Sequence, residues 1–600
     1  MEEGRQTAIL AVVGLIWCSP LLGGLAGRVW REGPGFWVST GALSAAWAGS
    51  LFICSEVAAG LRLNVAFFQW IELGNVRADF GLLIDPISAG LSLLATSVGL
   101  AAQLFSGGAA DGRRGLLLGT MLLLTQILLA APNYPQFIFA FSGLGLCAYW
   151  AAAGGGGRLV LTVCLLSSAL LAGAAFLLQA HCGRLDFAGL NGPLPAAAPG
   201  LLVGLLLVGG ALGAAAQIPL HFWLVAVARG PLPVVVLVQA IAVVPAGAVL
   251  LLRAEGLLAA MPQLATGVAV VGLVSGLLAA LAALLSREAS AILAHSTTSQ
   301  IGLVLVGIGL GAGVQAQEHL VSHGFTKTAL LLVVARLQTV EGGGRMPLTF
   351  WLGFIAVWGL AGLPPTMGFW SQSSLLVAVY NSGNWWLWAG GCSTVLLTGM
   401  YAFRLFLSEF KRTLVGQEGL QAAGEWVAYR AVPMIAMAGG IAVVGAVAPM
   451  LHLLGVEAWL SPLQGAGEGW PGTAVAAQYA ALLGGGLAAI GGGLAWLLTG
   501  GAVVKGGSLT GAAAFVGSGY KGAEGAELIV GRPLVRAAQG LWDLVETLAL
   551  ELGLSRGAGM FLRGVSWGLD RCLRKEIWPW LVAAVLGCIL VVQAVLKGAG

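Results

Sequence analysis

Three titratable side chains share one stripe of an apolar segment in this 600-residue chain. His319, His323 and Lys327 are four residues apart in HLVSHGFTKTALLLVV, and on an α-helix that spacing puts neighbours about 6 Å apart. A charged side chain near the centre of a bilayer costs about 2.5–3.5 kcal/mol on insertion scales. Imidazole and amine groups take up and release protons, so this row predicts proton movement.

Other roles for the row stay open. A lysine near a helix end can extend to the lipid headgroups, but about ten residues of the predicted span lie on each side of Lys327, which favours mid-depth. His319 and His323 are four residues apart, a spacing at which two histidines of one helix can bind the same metal ion. Glu318 points about 100° away around the helix, so no third ligand is evident and metal binding is not favoured. For the two histidines the alternatives are a hydrogen-bonded core role and a water-wire role.

Composition places the chain in the membrane. It is 58% hydrophobic and 9% charged, whereas soluble domains carry about 25% charged residues. The 93 glycines suit close helix packing in lipid. A net charge of +4 without a basic, aromatic-rich cluster argues against nucleic acid, so the lipid bilayer is the expected surrounding.

The chain shows no sign of a redox centre of its own. Its eight cysteines are scattered, and none forms C-x-x-C. No G-x-G-x-x-G follows a strand and no P-loop is present. We therefore expect no metal and no cofactor in this chain. Acidic residues precede the first apolar stretch, which favours a first transmembrane helix over a signal peptide.

Apolar runs long enough to cross about 30 Å of hydrocarbon recur along the whole sequence. They predict about sixteen transmembrane helices: 7–25, 36–59, 80–105, 114–131, 135–153, 158–179, 198–228, 231–252, 262–285, 290–311, 316–338, 346–380, 385–409, 430–455, 474–499 and 577–597. The predicted fold class is an all-α, polytopic membrane helix bundle. More arginines follow the odd-numbered spans than the even-numbered ones, which predicts an external N-terminus.

Prolines interrupt two regions of the predicted bundle. Pro219 and Pro231 fall in AQIPLHFWLVAVARGPLPVVV, and Pro364 and Pro365 fall in LAGLPPTMGFWSQSSLL. Proline breaks the helical hydrogen-bond ladder, and lipid tolerates such breaks only where protein or water satisfies the freed groups. Broken helices at matching places of two blocks predict two inverted repeats with an ion site near the breaks. The alternative is that the prolines only kink two helices.

The segment before the last span is too polar to cross the membrane. It mixes charges and apolar residues at helical spacing, as in ELIVGRPLVRAAQGLWDLVETLALELG, which predicts a lateral amphipathic helix. The predicted organisation is N-terminal helices 1–113, a first repeat 114–252, a second repeat 253–412, C-terminal helices 413–510, the lateral helix 511–576 and a final anchor 577–600.

Short motifs run in a recognisable order over about residues 65–410. They are ADFGLLIDPISAGL (78–91), GLGLCAY (143–149), GRLDFAGL (183–190), AQIPLHFWL (216–224), GPLPV (230–234), LAHSTTSQIG (293–302), HLVSHGFTKTALL (319–331), LAGLPPTMGFWS (360–371) and YAFRLF (401–406). With these motifs the chain resembles the antiporter-like membrane subunits of respiratory complex I, most closely the subunit L family of bacterial NADH–quinone oxidoreductase. The layout of the tail after residue 500 is similar as well.

The resemblance implies a membrane-arm subunit coupled to proton translocation, in a multi-pass protein of the bacterial cytoplasmic membrane. It implies other membrane-arm subunits as partners, with FMN, iron–sulfur clusters and quinone held by those partners. In the family, buried Lys, His and Glu residues form a proton chain across the membrane midplane. Whether this chain counts as an enzyme depends on the assembly, since no redox centre lies within it.

Several positions of that family chain are neutral here. They are Ser142, Ala214, Gln239, Ser290 and Gln372, and Ala226 stands where the family has an Asp. Ser, Ala and Gln cannot become ions at physiological pH. Loss of both members of a buried ion pair leaves no orphan charge, so the fold tolerates it. We therefore expect a reduced or altered proton path, built on Lys327, His323 and His319.

Five further residues allow more than one interpretation. Asp85 before Pro86 is typical of a helix cap, although a proton role is the alternative. His295 stands where the family has an aromatic residue and is interpreted as a polar filler rather than a substitute relay group. His221 and Gln217 flank the first break and could order water there. Arg404 lies near a span end or is paired.

Three functions compete. The first is a proton-coupled subunit of a complex I-type enzyme. The second is a structural subunit of such an enzyme that does not conduct protons. The third is a subunit of a cation/proton antiporter, a membrane hydrogenase or an inorganic-carbon uptake complex, and the long lateral tail argues against a plain antiporter.

Overall fold

The computed structural model describes residues 2–500, except 30–33, 74–75, 108–111, 153–155, 191, 193, 196–197, 340–345, 415–427 and 454–474. The predicted lateral helix at 511–576 and the final anchor at 577–600 lie outside the described residues.

Helices dominate the described part of the chain. In order they are α1 (Glu2–Val29), α2 (Pro34–Ala58), α3 (Pro86–Ser106), α4 (Gly112–Leu129), α5 (Tyr134–Ala151), α6 (Gly156–Cys182), α7 (Gly200–Ala214), α8 (Phe222–Val227), α9 (Leu232–Ala240), α10 (Val243–Arg253), α11 (Glu255–Ala259), α12 (Pro262–Leu285), α13 (Ala289–Gly309), α14 (Gly313–Gln338), α15 (Pro347–Ala361), α16 (Met367–Asn381), α17 (Trp385–Leu414), α18 (Ala428–Leu453) and α19 (Val475–Gly500).

This arrangement confirms the predicted polytopic helical bundle. Within the described ranges, ten helical segments are long and apolar enough to cross a membrane, and four more are apolar but shorter. Every predicted span in those ranges coincides with one helix or with two consecutive helices. The agreement is physical: a run of about 20 apolar residues has few alternatives to a membrane-spanning helix.

A β-hairpin interrupts the helices, where the predicted all-α fold has no strand. Strands β1 (Leu63–Leu73) and β2 (Val76–Ile84) pair antiparallel. Alternating polar and apolar residues with several aromatic rings favour strands here. Phe80 lies at the centre of an aromatic cluster, stacked on Phe68 at 5.4 Å and edge-on to Trp17 at 6.2 Å. The span predicted from residue 80 therefore starts only at Pro86.

Two spans are broken where the prolines predicted. α7 ends before Ala216 and α15 ends before Gly362, and both residues have a left-handed backbone, with φ of +51° and +74°. At both ends the next N–H bonds back over five residues, from Gln217 to Leu212 and from Leu363 to Trp358. This is the hydrogen bond of a Schellman-type helix end. The two breaks thus share one local design, which supports their interpretation as equivalent parts of two repeats.

A third interruption was not predicted, although Pro245 lies in the first turn of the helix that follows it and cannot donate to the carbonyl of Ile241. α9 ends at Ala240 and α10 begins at Val243. The N–H of Ala242 bonds to the carbonyl of Leu237, five residues back, at 2.7 Å. Such an i→i−5 bond widens the helix locally, as in a π-bulge. An apolar run can therefore be continuous in sequence and interrupted in its hydrogen-bond ladder.

Polar contacts group the helix ends into two sets. Arg253 at the end of α10 pairs with Asp85 before α3 and bonds to Leu129 at the end of α4. Arg229 after α8 pairs with Glu288 before α13 at 2.8 Å. In the predicted alternation the first set lies on the outer face and the second on the cytoplasmic face. Each predicted repeat contains five predicted spans, and an odd number of spans would give the second repeat the inverted orientation.

Candidate functional site

Lys327 lies in the middle of α14 with none of its surface exposed. It is 14 residues from the start of a 26-residue helix. Its Nζ donates to the carbonyl oxygen of Leu293 at 2.9 Å and to Oγ of Ser296 at 2.6 Å. No carboxylate of the described residues lies within ion-pair distance of Nζ. The amine is thus deeply buried, as the row predicted, and is held by two neutral acceptors on α13.

His319 is fixed by two partners from different helices. Its Nε2 lies 3.0 Å from Oε1 of Gln300, and its Nδ1 lies 3.0 Å from Oγ of Ser371. An amide oxygen only accepts, so the neutral ring carries its proton on Nε2, and Nδ1 accepts from the Ser371 hydroxyl. The ring therefore has one proton to give and one site to receive another.

His323 completes the row without a hydrogen bond of its own. The side chain is 3% exposed, and neither ring nitrogen has a hydrogen-bond partner in the described part of the chain. It lies one helical turn from His319 on one side and from Lys327 on the other. Buried ring nitrogens without protein partners are normally satisfied by water, so this turn of α14 is the natural place for a hydrated step.

Residues 295–300 of α13, identified in the sequence only as part of the motif LAHSTTSQIG, form a buried polar turn. All six are at most 1% exposed. Thr297 donates to Gln239 on α9 at 2.9 Å, and the carbonyl of Thr298 accepts from Gln217 at the first break. Gln300 reaches Thr398 and Tyr401 on α17. Six consecutive polar residues in an otherwise apolar helix indicate a buried polar site in the sequence itself. Such residues can be buried only where other polar groups bond to them.

The altered relay positions of the first repeat lie among neutral groups. Oγ of Ser142 is 2.9 Å from Oγ of Ser168, and Ala214 ends α7 as a buried methyl group. Gln239 is fully buried and accepts from the polar turn. Ser290 lies in the first turn of α13, about 8 Å along the helix from the polar turn.

Two histidines meet at the first break. The rings of His221 and His295 are 6.2 Å apart between centroids, and the side chains are 4% and 1% exposed. Pro219 lies within this break, and its bond to Ile218 is cis. Pro231 instead lies just before α9, where it starts the next helix rather than interrupting one.

Gln372 closes the second break, near the cis bond between Pro364 and Pro365. Its Nε2 donates to the carbonyl of Leu360 at 3.0 Å, across the interrupted helix. A side chain at position 362 would collide with the Gln372 amide, so Gly362 is needed both for space and for its left-handed backbone. Gln372 thus satisfies a backbone group that the break leaves free.

Asp85 has a structural role that the geometry makes explicit. It caps α3, accepting from the Ser88 N–H at 2.8 Å, and it pairs with Arg253. Burial acts to raise the pKa of this carboxyl, but the Arg253 charge and the bonds from Arg253 and Ser88 outweigh it, so the pKa lies below its ordinary value. In the described residues no hydrogen bond connects Asp85 to the row on α14.

Arg404, left open by the sequence, is paired with backbone groups. Its guanidinium donates to the carbonyls of Leu284 and Ser286 at the end of α12. A cation at a helix C-terminus stabilises the last carbonyls. Among the described residues, no group of three or more His, Cys, Asp or Glu side chains is placed to hold a metal ion.

Comparison with known proteins gives the same family along the chain. Residues 137–398 match the family described as NADH:quinone oxidoreductase/Mrp antiporter, TM. Residues 70–108 match the N-terminal family of NADH–ubiquinone oxidoreductase (complex I) chain 5. Two solved structures share the fold. The Mrp complex from Dietzia has a TM-score of 0.66 at 23% identity, covering 92% of this chain and 63% of that one. The archaeal membrane-bound sulfane sulfur reductase has a TM-score of 0.64 at 20% identity, covering 94% and 99%.

Curated relatives are more similar in sequence. Subunit L of NADH–quinone oxidoreductase from Pseudomonas aeruginosa is 31% identical over 407 residues, which are 62% of this chain and 65% of that protein, slightly under two thirds of its length. Subunit L from Mycobacterium tuberculosis is 32% identical over 441 residues, which are 67% of this chain and 68% of that protein. The chain therefore belongs to the family of antiporter-like membrane subunits that includes subunit L of NADH–quinone oxidoreductase.

Proposed function

We propose that this chain is a membrane-arm subunit of a complex I-type NADH–quinone oxidoreductase, and that protons cross it by an altered path centred on its second repeat. The observation that carries the proposal is the position of Lys327. It lies at mid-helix, fully buried, with two neutral acceptors and no carboxylate partner in the described residues. An unpaired buried amine does not stabilise a fold, so a role in proton transfer explains it better than packing.

The surroundings of Lys327 can pass protons. Ser296 connects the amine to the polar turn of α13, and Gln300 at the other end of that turn binds His319. His323 lies between His319 and Lys327 on α14. Side chains that both donate and accept thus continue from Lys327 towards the second break.

The first repeat supports only a weaker path. Its family relay positions are Ser142 and Ala214, and Gln239 links to the polar turn as a neutral amide. Hydroxyl and amide groups orient water but do not store a proton. His221 and His295 are the titratable side chains near the first break, and their proximity makes the substitute-relay interpretation of His295 worth testing.

The assembly follows from the family. The electron donor NADH, FMN, the iron–sulfur clusters and quinone would belong to partner subunits, and neighbouring membrane-arm subunits would contact this chain in the bacterial cytoplasmic membrane. Purification of the native complex through a tag on this chain, followed by mass spectrometry of the co-purifying proteins, tests that expectation. Recovery of antiporter subunits without any redox subunit would contradict it.

The proton path is tested in proteoliposomes containing the purified complex, with NADH and a short-chain quinone. The readout is protons moved per electron transferred. We expect Lys327→Met to lower this ratio, because Met fills the same space without a titratable group. Ser142→Ala in the first repeat is the matched control and should leave the ratio unchanged. Assembly is checked by native gel electrophoresis.

A structural subunit that does not conduct protons is the second candidate. The neutral pair Ser142 and Ser168 in the first repeat favours it, because a conducting half-channel is expected to contain ionisable groups. An assembled Lys327→Met complex with the same proton-to-electron ratio as the unmodified one would decide for this candidate.

A further inference from the structure

Glu318 is a carboxylate that the proton row does not include, although it lies next to His319 in sequence. It is partly exposed, on the side of α14 that contacts α16. The Ser374 hydroxyl donates to its Oε2 at 3.1 Å. In the described part of the chain no Lys, Arg or His lies within ion-pair distance of it. A carboxyl group in such surroundings is stabilised by taking up a proton.

The partners of Glu318 and of His319 lie on one face of α16. Ser374 contacts Glu318, and Ser371, one turn earlier, contacts Nδ1 of His319 at 3.0 Å. Residues three apart on a helix are neighbours, with about 5–6 Å between their Cβ atoms. One water molecule can bridge a gap of that size, so the two hydroxyls can form a short path from the carboxyl to the imidazole.

The depths of these groups are ordered. Glu318 is about 8 Å along α14 from its first residue, His319 about 9 Å and Lys327 about 21 Å. Exposure falls in the same order, because Glu318 is partly exposed while His319 is 2% exposed and Lys327 is fully buried. Glu318 therefore lies between the membrane face where α14 begins and the buried row.

We propose that Glu318 exchanges protons with the aqueous phase at the outer end of the path through Ser374, Ser371 and His319. It would replace the ionisable residue of the family relay, whose position is occupied here by the neutral Gln372. The inference rests on the proposed proton function. A protonated Glu318 would release its proton towards Ser374. Ser374 would pass a proton through a bridging water molecule to Ser371, and the hydroxyl proton of Ser371 would move to Nδ1 of His319. Both serines end as neutral hydroxyls, with a carboxylate at 318 and an imidazolium at 319. The carboxylate is then reprotonated from the adjacent aqueous phase.

The first experiment labels the native complex with dicyclohexylcarbodiimide, an apolar reagent for protonated carboxyl groups in membranes. The acid proton moves to a carbodiimide nitrogen and the carboxyl oxygen adds to the central carbon. The acyl group then migrates to nitrogen, which gives a stable N-acylurea without a leaving group. We expect this adduct at Glu318 by mass spectrometry. Its absence, in complexes where other carboxyls are labelled, would overturn the proposal.

The second experiment measures protons per electron in proteoliposomes of the assembled complex. We expect Glu318→Gln to lower the ratio as much as Lys327→Met does, and Glu318→Asp to retain more than half of the ratio. Glu255→Gln is the matched control, since Glu255 lies at the same end of α14 and its carboxylate accepts the Gly313 N–H outside this path. It should leave the ratio unchanged.

The outcomes separate the two proposals. If Lys327→Met lowers the ratio and Glu318→Gln does not, the assignment of Glu318 is wrong and the proton function stands. If neither variant changes the ratio in an assembled complex, the proton function is wrong and Glu318 has no proton role. A lowered ratio in Glu318→Gln that Glu318→Asp does not recover would indicate a packing effect and would also count against the assignment.

Discussion

The ion pair between Asp85 and Arg253 connects three helix ends, and its removal makes a quantitative prediction. Arg253 is 6% exposed at the side chain and Asp85 20%. The guanidinium also donates to the carbonyl of Leu129 at 3.1 Å. Breaking a buried pair by removing one partner costs about 3–5 kcal/mol, because the other charge is left uncompensated. Residual exposure of Asp85 lowers the expected cost of either Asp85→Asn or Arg253→Met to about 2–4 kcal/mol.

The double variant separates the pair from its surroundings. Asp85→Asn combined with Arg253→Met leaves no orphan charge, so it should cost less than the sum of the two single variants. A coupling of about 2 kcal/mol is expected for groups in direct contact. The assay is the thermal unfolding midpoint of the purified complex for the wild type, both single variants and the double variant. Additive shifts in the midpoint would refute the pairing argument.

The same variants decide between the cap and the proton role of Asp85. The pKa of Asp85 is lowered in the folded chain, so its stabilising contribution is complete above the unfolded value of about 3.9 and is lost as the pH falls through the folded value. Between pH 6 and pH 8 the contribution of the ion pair to the stability of the wild type should therefore be constant. A proton-to-electron ratio that falls in assembled Asp85→Asn complexes as it does in Lys327→Met would contradict the structural role.

Three further predictions use the same unfolding assay or limited proteolysis. Gln136→Ala should make the hairpin at 63–84 more sensitive to protease. The buried Gln136 amide makes two hydrogen bonds to the backbone of β2, and their loss costs about 1–3 kcal/mol. Gln69→Ala, at an exposed position of the same hairpin, should not change the sensitivity. Gly362→Ala should lower the midpoint through its left-handed backbone and the collision that a Cβ would cause, while Gly439→Ala, which has open space, should be neutral. Lys327→Met should leave the unfolding midpoint unchanged or raise it. It removes a buried cation that has no carboxylate partner among the described residues, and Ser296 keeps its hydrogen bond to the Leu293 carbonyl. A lower midpoint would count against that argument.

Hydrophobic runs and prolines made most of the bundle predictable. The span boundaries follow from apolar length, and the breaks at Pro219 and Pro365 follow from a missing backbone donor. The hairpin at 63–84 escaped because its second strand is apolar enough to merge with the span that follows it. The interruption after Ala240 carried a signal that was not used, since Pro245 removes the backbone donor to Ile241.

The partners of the candidate site were harder to predict than its members. His319 and Lys327 were identified by type and spacing on one helix, a property of local sequence. Their partners, Gln300 and Ser296, lie on another helix, and only helix packing decides which side chain meets which. Glu318 was considered only as a metal ligand, because its contact with α16 depends on how two distant segments pack.

The distribution of charge in the site argues for a proton path that is asymmetric. When one partner of a buried ion pair is replaced by a neutral residue, the other partner is also expected to be neutral. Otherwise burial would destabilise the charge that remains. Ser142 and Ala214 meet that requirement in the first repeat. Lys327 does not, since its described partners are a carbonyl and a hydroxyl. Glu318, also on α14, has no cation within ion-pair distance among the described residues. Two uncompensated ionisable groups on one helix, about 13 Å apart along its axis, are unfavourable for folding alone. They are the expected arrangement if each is charged for only part of a transfer cycle, when a proton passes from one to the other through His319 and His323.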